Sequence, residues 1–145
     1  MTTTGTPRES PTRMEPTASP VSEPFWEATK QRRLLVQWCL DCDKAVFYPR
    51  EICPGCMGSN LEWREASGKG TLHSFTVNHL SPNPTGGEGP FAIALVELAE
   101  GPRMMTNLVG LGTDELKVGM EVQVSWEGLS DGRNYPTFEP AGGSR

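Results

Sequence analysis

Cys39-Leu-Asp-Cys42 and Cys53-Pro-Gly-Cys56 are the two stretches whose reading decides the fold, because they place all four cysteines of the chain in one repeated spacing. Two cysteines separated by two residues can turn back on a single ion, each thiolate reaching zinc at about 2.3 Å while amides of the turn point at the sulfurs. Two such knuckles complete a closed tetrahedral shell, and the ten residues between Cys42 and Cys53 allow a short strand, a turn and a return. One structural zinc ion is therefore expected on Cys39, Cys42, Cys53 and Cys56, with Gly55 giving the second, tighter knuckle its backbone freedom. A pair of disulfides and a thioredoxin-type redox pair are the competing readings of the same spacing. A closed four-thiolate shell keeps no open position for a reacting molecule, so no catalytic residue is assigned.

Working outward from the knuckles, Leu34–Gln37, Ala45–Tyr48 and Leu61–Arg64 are short apolar or alternating runs that read as the strands of a zinc ribbon. Phe47, Tyr48, Trp38 and Trp63 could stack on bases, but around a small metal site aromatics more often form the miniature core. Upstream, Ser22 to Arg33 carries a capping serine, proline and acidic residues in the first turn, and basic residues at the end, the charge order that suits a helix dipole. A helix of about ten residues with adjacent Phe25 and Trp26 must pack on something to persist, either the ribbon or a partner.

Downstream, Gly68-Lys-Gly70 punctuates the chain and the pattern becomes purely β. Thr71–His79 is rich in β-branched and aromatic residues, Phe91–Leu98 is a continuous apolar run suited to a buried strand, and Arg103–Val109 forms a third. Glu121–Glu127 alternates, turning Val122, Val124 and Trp126 inward, and Asn134–Phe138 completes five strands with no long helix between them. The fold class is accordingly mainly β: a short N-terminal helix, a zinc ribbon, and a five-stranded barrel of the oligomer-binding (OB) type. Gly119 reads as a positive-φ turn residue, and Ser81–Pro90 as an irregular loop, binding or mobile. The expected division is 1–21 a disordered tail of Thr, Ser, Pro and Glu, 22–67 helix and ribbon, 68–140 barrel, and 141–145 a flexible C-terminus.

Charge and missing motifs narrow the function. Residues 71–145 hold four basic against nine acidic side chains, so the whole surplus behind the net charge of −5 lies in the barrel half. That sign repels a polyphosphate chain, which leaves single-stranded nucleic-acid binding a minor reading. No apolar run approaches the roughly 18 residues that span a bilayer, and the first residues lack a secretory pattern, so a cytoplasmic protein without membrane contact is expected. His73 and His79 are the only histidines, and an ideal pleat would set them on one face, either as a ligand-facing pair or as structural residues at the barrel mouth. Asp114 and Glu115 adjoin turn residues and read as solvated surface. Motifs for a hydrolytic triad, a P-loop or dinucleotide binding are absent from the sequence.

An ordered run of segments carries a further likeness: Pro24-Phe-Trp-Glu27, the two knuckles with Tyr48-Pro-Arg-Glu51 between them, Gly70–Val77, Phe91–Leu98, Glu100–Arg103 and Val118–Val122. From Pro24 to Phe138 the chain resembles the zinc-ribbon plus OB-fold proteins associated with acyl-CoA enzymes, a domain family of unknown function. The resemblance implies a rubredoxin-like zinc ribbon and an OB barrel that together serve a thiolase-fold enzyme as a non-catalytic partner. In such families the partner makes or breaks carbon–carbon bonds of acyl-CoA, including retro-aldol removal of steroid side-chain fragments in actinobacteria, and the related domain is also found fused to hydratase-like domains. On that footing the chain is expected to be no enzyme by itself but a subunit of a carbon–carbon lyase or acyltransferase complex, an aldolase or thiolase. It would dock to its partner, stabilise it and help shape a shared acyl-CoA site. Phe25, Trp26, Arg50, His79 and Phe91 are expected to face ligand or partner. Cations for the coenzyme A phosphates would come from Lys30, Arg32, Arg33, Lys44 and Arg50 around the ribbon, or from the partner. A stand-alone acyl-CoA or lipid-thioester binding protein is the alternative.

Overall fold

The computed structural model describes residues 15–79 and 89–141. Most of the expected tail, most of the Ser81–Pro90 loop and nearly all of the expected C-terminal segment lie outside the described residues. Among the described residues no helix is long and apolar enough to cross a membrane.

Helix α1 spans Glu23–Thr29; Pro20–Ser22 before it form a tight turn, and the Ser22 hydroxyl, expected to cap the helix, instead accepts the Ser19 amide (2.9 Å). The helix is shorter than the charge pattern predicts. Its end is set by Arg32, which takes a left-handed φ of 59°. That lets the Arg33 amide reach back to the Ala28 carbonyl (3.1 Å) and the Arg32 amide to Thr29 (2.9 Å). This is the bonding of a Schellman stop, built here without the usual glycine.

Strands β1 (Leu35–Cys39), β2 (Lys44–Val46) and β3 (Leu61–Glu65) form an antiparallel sheet in the order β2-β1-β3. Strand β1 runs directly into the first knuckle, so the sheet itself positions Cys39. Gln37, buried, uses both ends of its amide on the Arg50 backbone (2.8 Å each), standing in for a strand partner where β2 has ended.

Gly68, with φ +84°, is the pivot from ribbon to barrel; a Cβ there would lie 2.7 Å from Val124 Cγ1, so only glycine fits. Strands β4 (Lys69–Asn78), β5 (Phe91–Leu98), β6 (Arg103–Leu108), β7 (Glu121–Gly128) and β8 (Asn134–Pro140) close into a barrel in the order β4-β5-β6-β8-β7. Closure between β6 and β8 is slight: the two run parallel and meet at Leu108 and Phe138, with Thr106 Oγ1 donating to the Pro136 carbonyl (2.8 Å). Leu72, Ala94, Val96, Val122 and Phe138 fill the interior.

The same apolar cluster continues through Phe25, Leu34 and Val36 of the helix and ribbon, with Phe47 and Trp63 packed against it. Two polar fasteners reinforce the junction. Fully buried Thr29 accepts the Asn134 amide on Oγ1 (3.1 Å) and the Asn134 side chain on its carbonyl (2.8 Å). The Tyr48 hydroxyl accepts the Met105 amide of β6 (2.9 Å).

Candidate metal centre

The four cysteines converge at one end of the ribbon sheet, where Cys53, Pro54 and Gly55 share a cleft with Glu97 to Arg103 of the barrel. Their Sγ atoms all lie within 4.8 Å of one another, with Cys39 and Cys56 at 3.7 Å and Cys42 and Cys53 at 3.9 Å. A tetrahedron with bonds of about 2.3 Å has edges of about 3.8 Å, so these two edges match one, and the remaining sulfurs, all within 4.8 Å, are close enough to share one ion. The thiols are free, and their separations far exceed the about 2.05 Å of a sulfur–sulfur bond, which sets aside the two-disulfide reading for this arrangement.

The two knuckles are built alike. Asp43 N donates to Cys39 O and Met57 N to Cys53 O, both at 2.7 Å. Cys42 N points at Cys39 Sγ and Gly55 N at Cys53 Sγ, both at 3.3 Å, so backbone dipoles meet the sulfur where thiolate charge would sit. The residue after each second cysteine is left-handed, Asp43 at φ 58° and Met57 at φ 64°. The sequence reading assigned the needed backbone freedom to Gly55, but Gly55 has an ordinary φ and room for a Cβ at 3.5 Å from Cys42 Sγ. The unusual conformation falls two residues later, on a methionine.

Cys39 and Cys53 are buried, Cys42 is half-buried and Cys56 is exposed. The Cys53 thiol is drawn down to about 7, chiefly by the Cys56 backbone amide and, against burial, by that of Gly55. Cys42 is pushed up to about 12, first by its hydrogen bond with the Cys56 thiol and then by burial. Four thiolates this close repel one another, and a bound cation is what removes the repulsion. The donor set and geometry fit one tetrahedral metal ion.

Of the residues expected to face ligand or partner, Phe25 is 4% and Phe91 8% exposed, so both belong to the core. Trp26 is half-buried, stacked beside Tyr135 with the Arg133 guanidinium over its ring. Arg50 is half-buried, its backbone clasped by Gln37 and its Nε donating to Tyr48 O. His79 is exposed just beyond the end of β4. His73 sits at a register shift between Leu72 and Ser74, where the simple pleat that would align it with His79 is broken; it faces Glu97, which Arg103 also approaches. Trp38 carries the Arg64 guanidinium at 4.6 Å, while Phe47 and Trp63 serve the core. Glu115 accepts the Gly112 amide in an exposed turn.

One feature escapes residue-by-residue reading. Phe25 and Trp26 of α1, Phe47 and Tyr48 of the ribbon, and Met105 and Tyr135 of the barrel line a mainly apolar groove of about 310 Å³. Its walls come from four separated segments, so no local pattern announces it.

Comparison with known proteins places these parts. Residues 26–62 match the family described as ChsH2, rubredoxin-like zinc ribbon domain, and residues 63–127 that described as ChsH2, C-terminal OB-fold domain. A probable enoyl-CoA hydratase alpha subunit of Thermomonospora curvata is 42% identical over 118 residues, 81% of this chain but 37% of that protein. The chain thus spans little more than a third of that relative's length. A DUF35 domain-containing scaffold protein of Methanocaldococcus jannaschii is 31% identical over 108 residues, covering 73% of this chain and 77% of that one. Among solved structures, a chain of an Ltp2-ChsH2(DUF35) aldolase superposes with a TM-score of 0.78 at 38% identity, covering 88% of this chain and 99% of that one.

Proposed function

The chain belongs to the ChsH2/DUF35 family of zinc-ribbon and OB-fold proteins, and from that premise we propose that it is a non-catalytic accessory subunit of a thiolase-like acyl-CoA enzyme. It docks to an aldolase or thiolase, stabilises it and helps shape the acyl-CoA site, retro-aldol cleavage of a steroid side chain being one reaction of this kind. The observation that carries the reading is the likeness, over 88% of this chain and 99% of the other, to a chain of the Ltp2-ChsH2(DUF35) aldolase. The chemistry of the metal set agrees with a scaffold. The metal set is closed by Cys39, Cys42, Cys53 and Cys56, and a bound ion would fix the ribbon without offering a reacting molecule a coordination position. Zinc is the ion proposed, since it prefers four thiolates in a tetrahedron and adds no redox chemistry. A cytoplasmic setting, where thiols stay reduced, suits it.

Reconstitution with a purified Ltp2 subunit tests the proposal. Aldolase activity is expected from the mixture and from neither chain alone, and elemental analysis should find one zinc per chain. Activity of the isolated chain, or a mixture no better than Ltp2 by itself, would sink the reading. Cys39→Ser or Cys53→Ser should lose the metal and the complex together.

The apolar groove between helix, ribbon and barrel favours a second reading, a stand-alone acyl-CoA or lipid-thioester binding protein. Its apolar lining suits an acyl chain, but the acidic surplus of the barrel opposes the phosphates of coenzyme A. Calorimetric titration of the isolated chain with an acyl-CoA should give little or no heat, and micromolar binding would promote this reading over the first.

A further inference from the structure

The geometry points to the metal knuckles as the surface that docks the partner, with Leu40, Ile52 and Met57 as its apolar anchors. Each is the immediate neighbour of a cysteine ligand, and they are 44%, 47% and 72% exposed. They lie on two knuckles that meet: Leu40 N donates to Asn60 O and Asn60 Nδ2 to Asp41, whose other carboxylate oxygen lies beside Gly58. Large apolar side chains left this exposed recover only part of their burial energy in the fold. Met57 is the sharper case, since it also holds a left-handed backbone in which glycine would be unstrained. Neither folding nor solubility asks for methionine there. Contact with another surface does, because a metal-fixed turn presents its side chains with little entropy left to lose on binding.

The inference rests on the accessory-subunit reading and commits to the occupant that reading names, the thiolase-like subunit. The similar chain with the same two-part fold belongs to an aldolase that also contains Ltp2, which names the kind of protein available to cover such a surface. The charge pattern states the chemistry of the matching face. Asp41, Asp43 and Glu51 flank the anchors, and four thiolates around a divalent ion add a net negative charge, against Lys44 and Arg50. A complementary partner has an apolar depression with a predominantly basic rim. The barrel's exposed Val118 lies outside this patch and serves as the control.

Titration of the metal-loaded chain into purified Ltp2, read by calorimetry and by light scattering of the complex, decides the matter. Ile52→Ser and Met57→Gly are each expected to weaken binding by about tenfold or more. Metal content should stay the same, and Met57→Gly should raise the thermal midpoint because the strained backbone is relieved. Val118→Ser should bind like the wild type. If the wild-type chain binds Ltp2 and the Ile52→Ser/Met57→Gly double variant binds equally well, the surface assignment is wrong while the accessory reading stands. If the wild-type chain shows no binding to Ltp2, both are overturned.

Discussion

Thr29 shows how one side chain can join two domains. Its hydroxyl donates to Trp26 O (2.6 Å) and accepts the Asn134 amide, while its carbonyl takes the Asn134 side chain, and both bonds to Asn134 are buried. Asn134→Ala removes one of these bonds and leaves the Thr29 carbonyl less well satisfied in a buried place. The loss should be about 1–3 kcal/mol by denaturant titration of the metal-loaded chain. A change below a few tenths would show that the fastener carries no load. Cys42 supports a second expectation at this scale. Its thiol is held at about 12 without metal, so at neutral pH the ion must displace its proton. Binding therefore releases protons and weakens as pH falls, and release to a chromogenic chelator should accelerate on acidification. Release independent of pH would contradict thiolate ligation.

At the scale of elements, α1 and β4 mark where sequence patterns reach their limit. The end of α1 depends on Arg32 adopting a conformation normally given to glycine, so the pattern of charges overruns it. Arg32→Gly should stabilise the chain by about 1 kcal/mol, measured as a rise in the denaturation midpoint. A fall would mean that the arginine side chain contributes more than its backbone strain takes away. The break in β4 at Leu72 and Ser74 is hidden for a different reason: it answers to barrel closure, which involves β5 and β7, whereas the alternation of Thr71 to His79 is a property of one strand. The knuckles were legible because their chemistry is complete within a few residues. Barrel strands were legible because Val122, Val124 and Trp126, or the run Phe91–Leu98, record their burial locally. The groove and the Thr29–Asn134 fastener were not, since each joins residues far apart in the chain.

For the molecule as a whole, the continuity of the apolar cluster from Phe25 and Val36 through to Leu72 and Phe138 makes ribbon and barrel one cooperative unit. Heat or denaturant should unfold the metal-loaded chain in a single transition. Tryptophan fluorescence, reporting on Trp38 and Trp63 in the ribbon and Trp126 in the barrel, should coincide with far-ultraviolet circular dichroism. Two separated transitions would show that the junction is merely an apposition of independent domains.

The Tyr48 hydroxyl on the Met105 amide has one more consequence. Strands β6 and β8 touch only briefly, Pro136 has no amide to give, and Met105 would otherwise present a free donor where the closure of the barrel is thinnest. A bare strand edge of this kind templates the addition of foreign strands. By holding Tyr48 over it, the ribbon caps that donor, and a metal ion that fixed the ribbon would hold the cap in place.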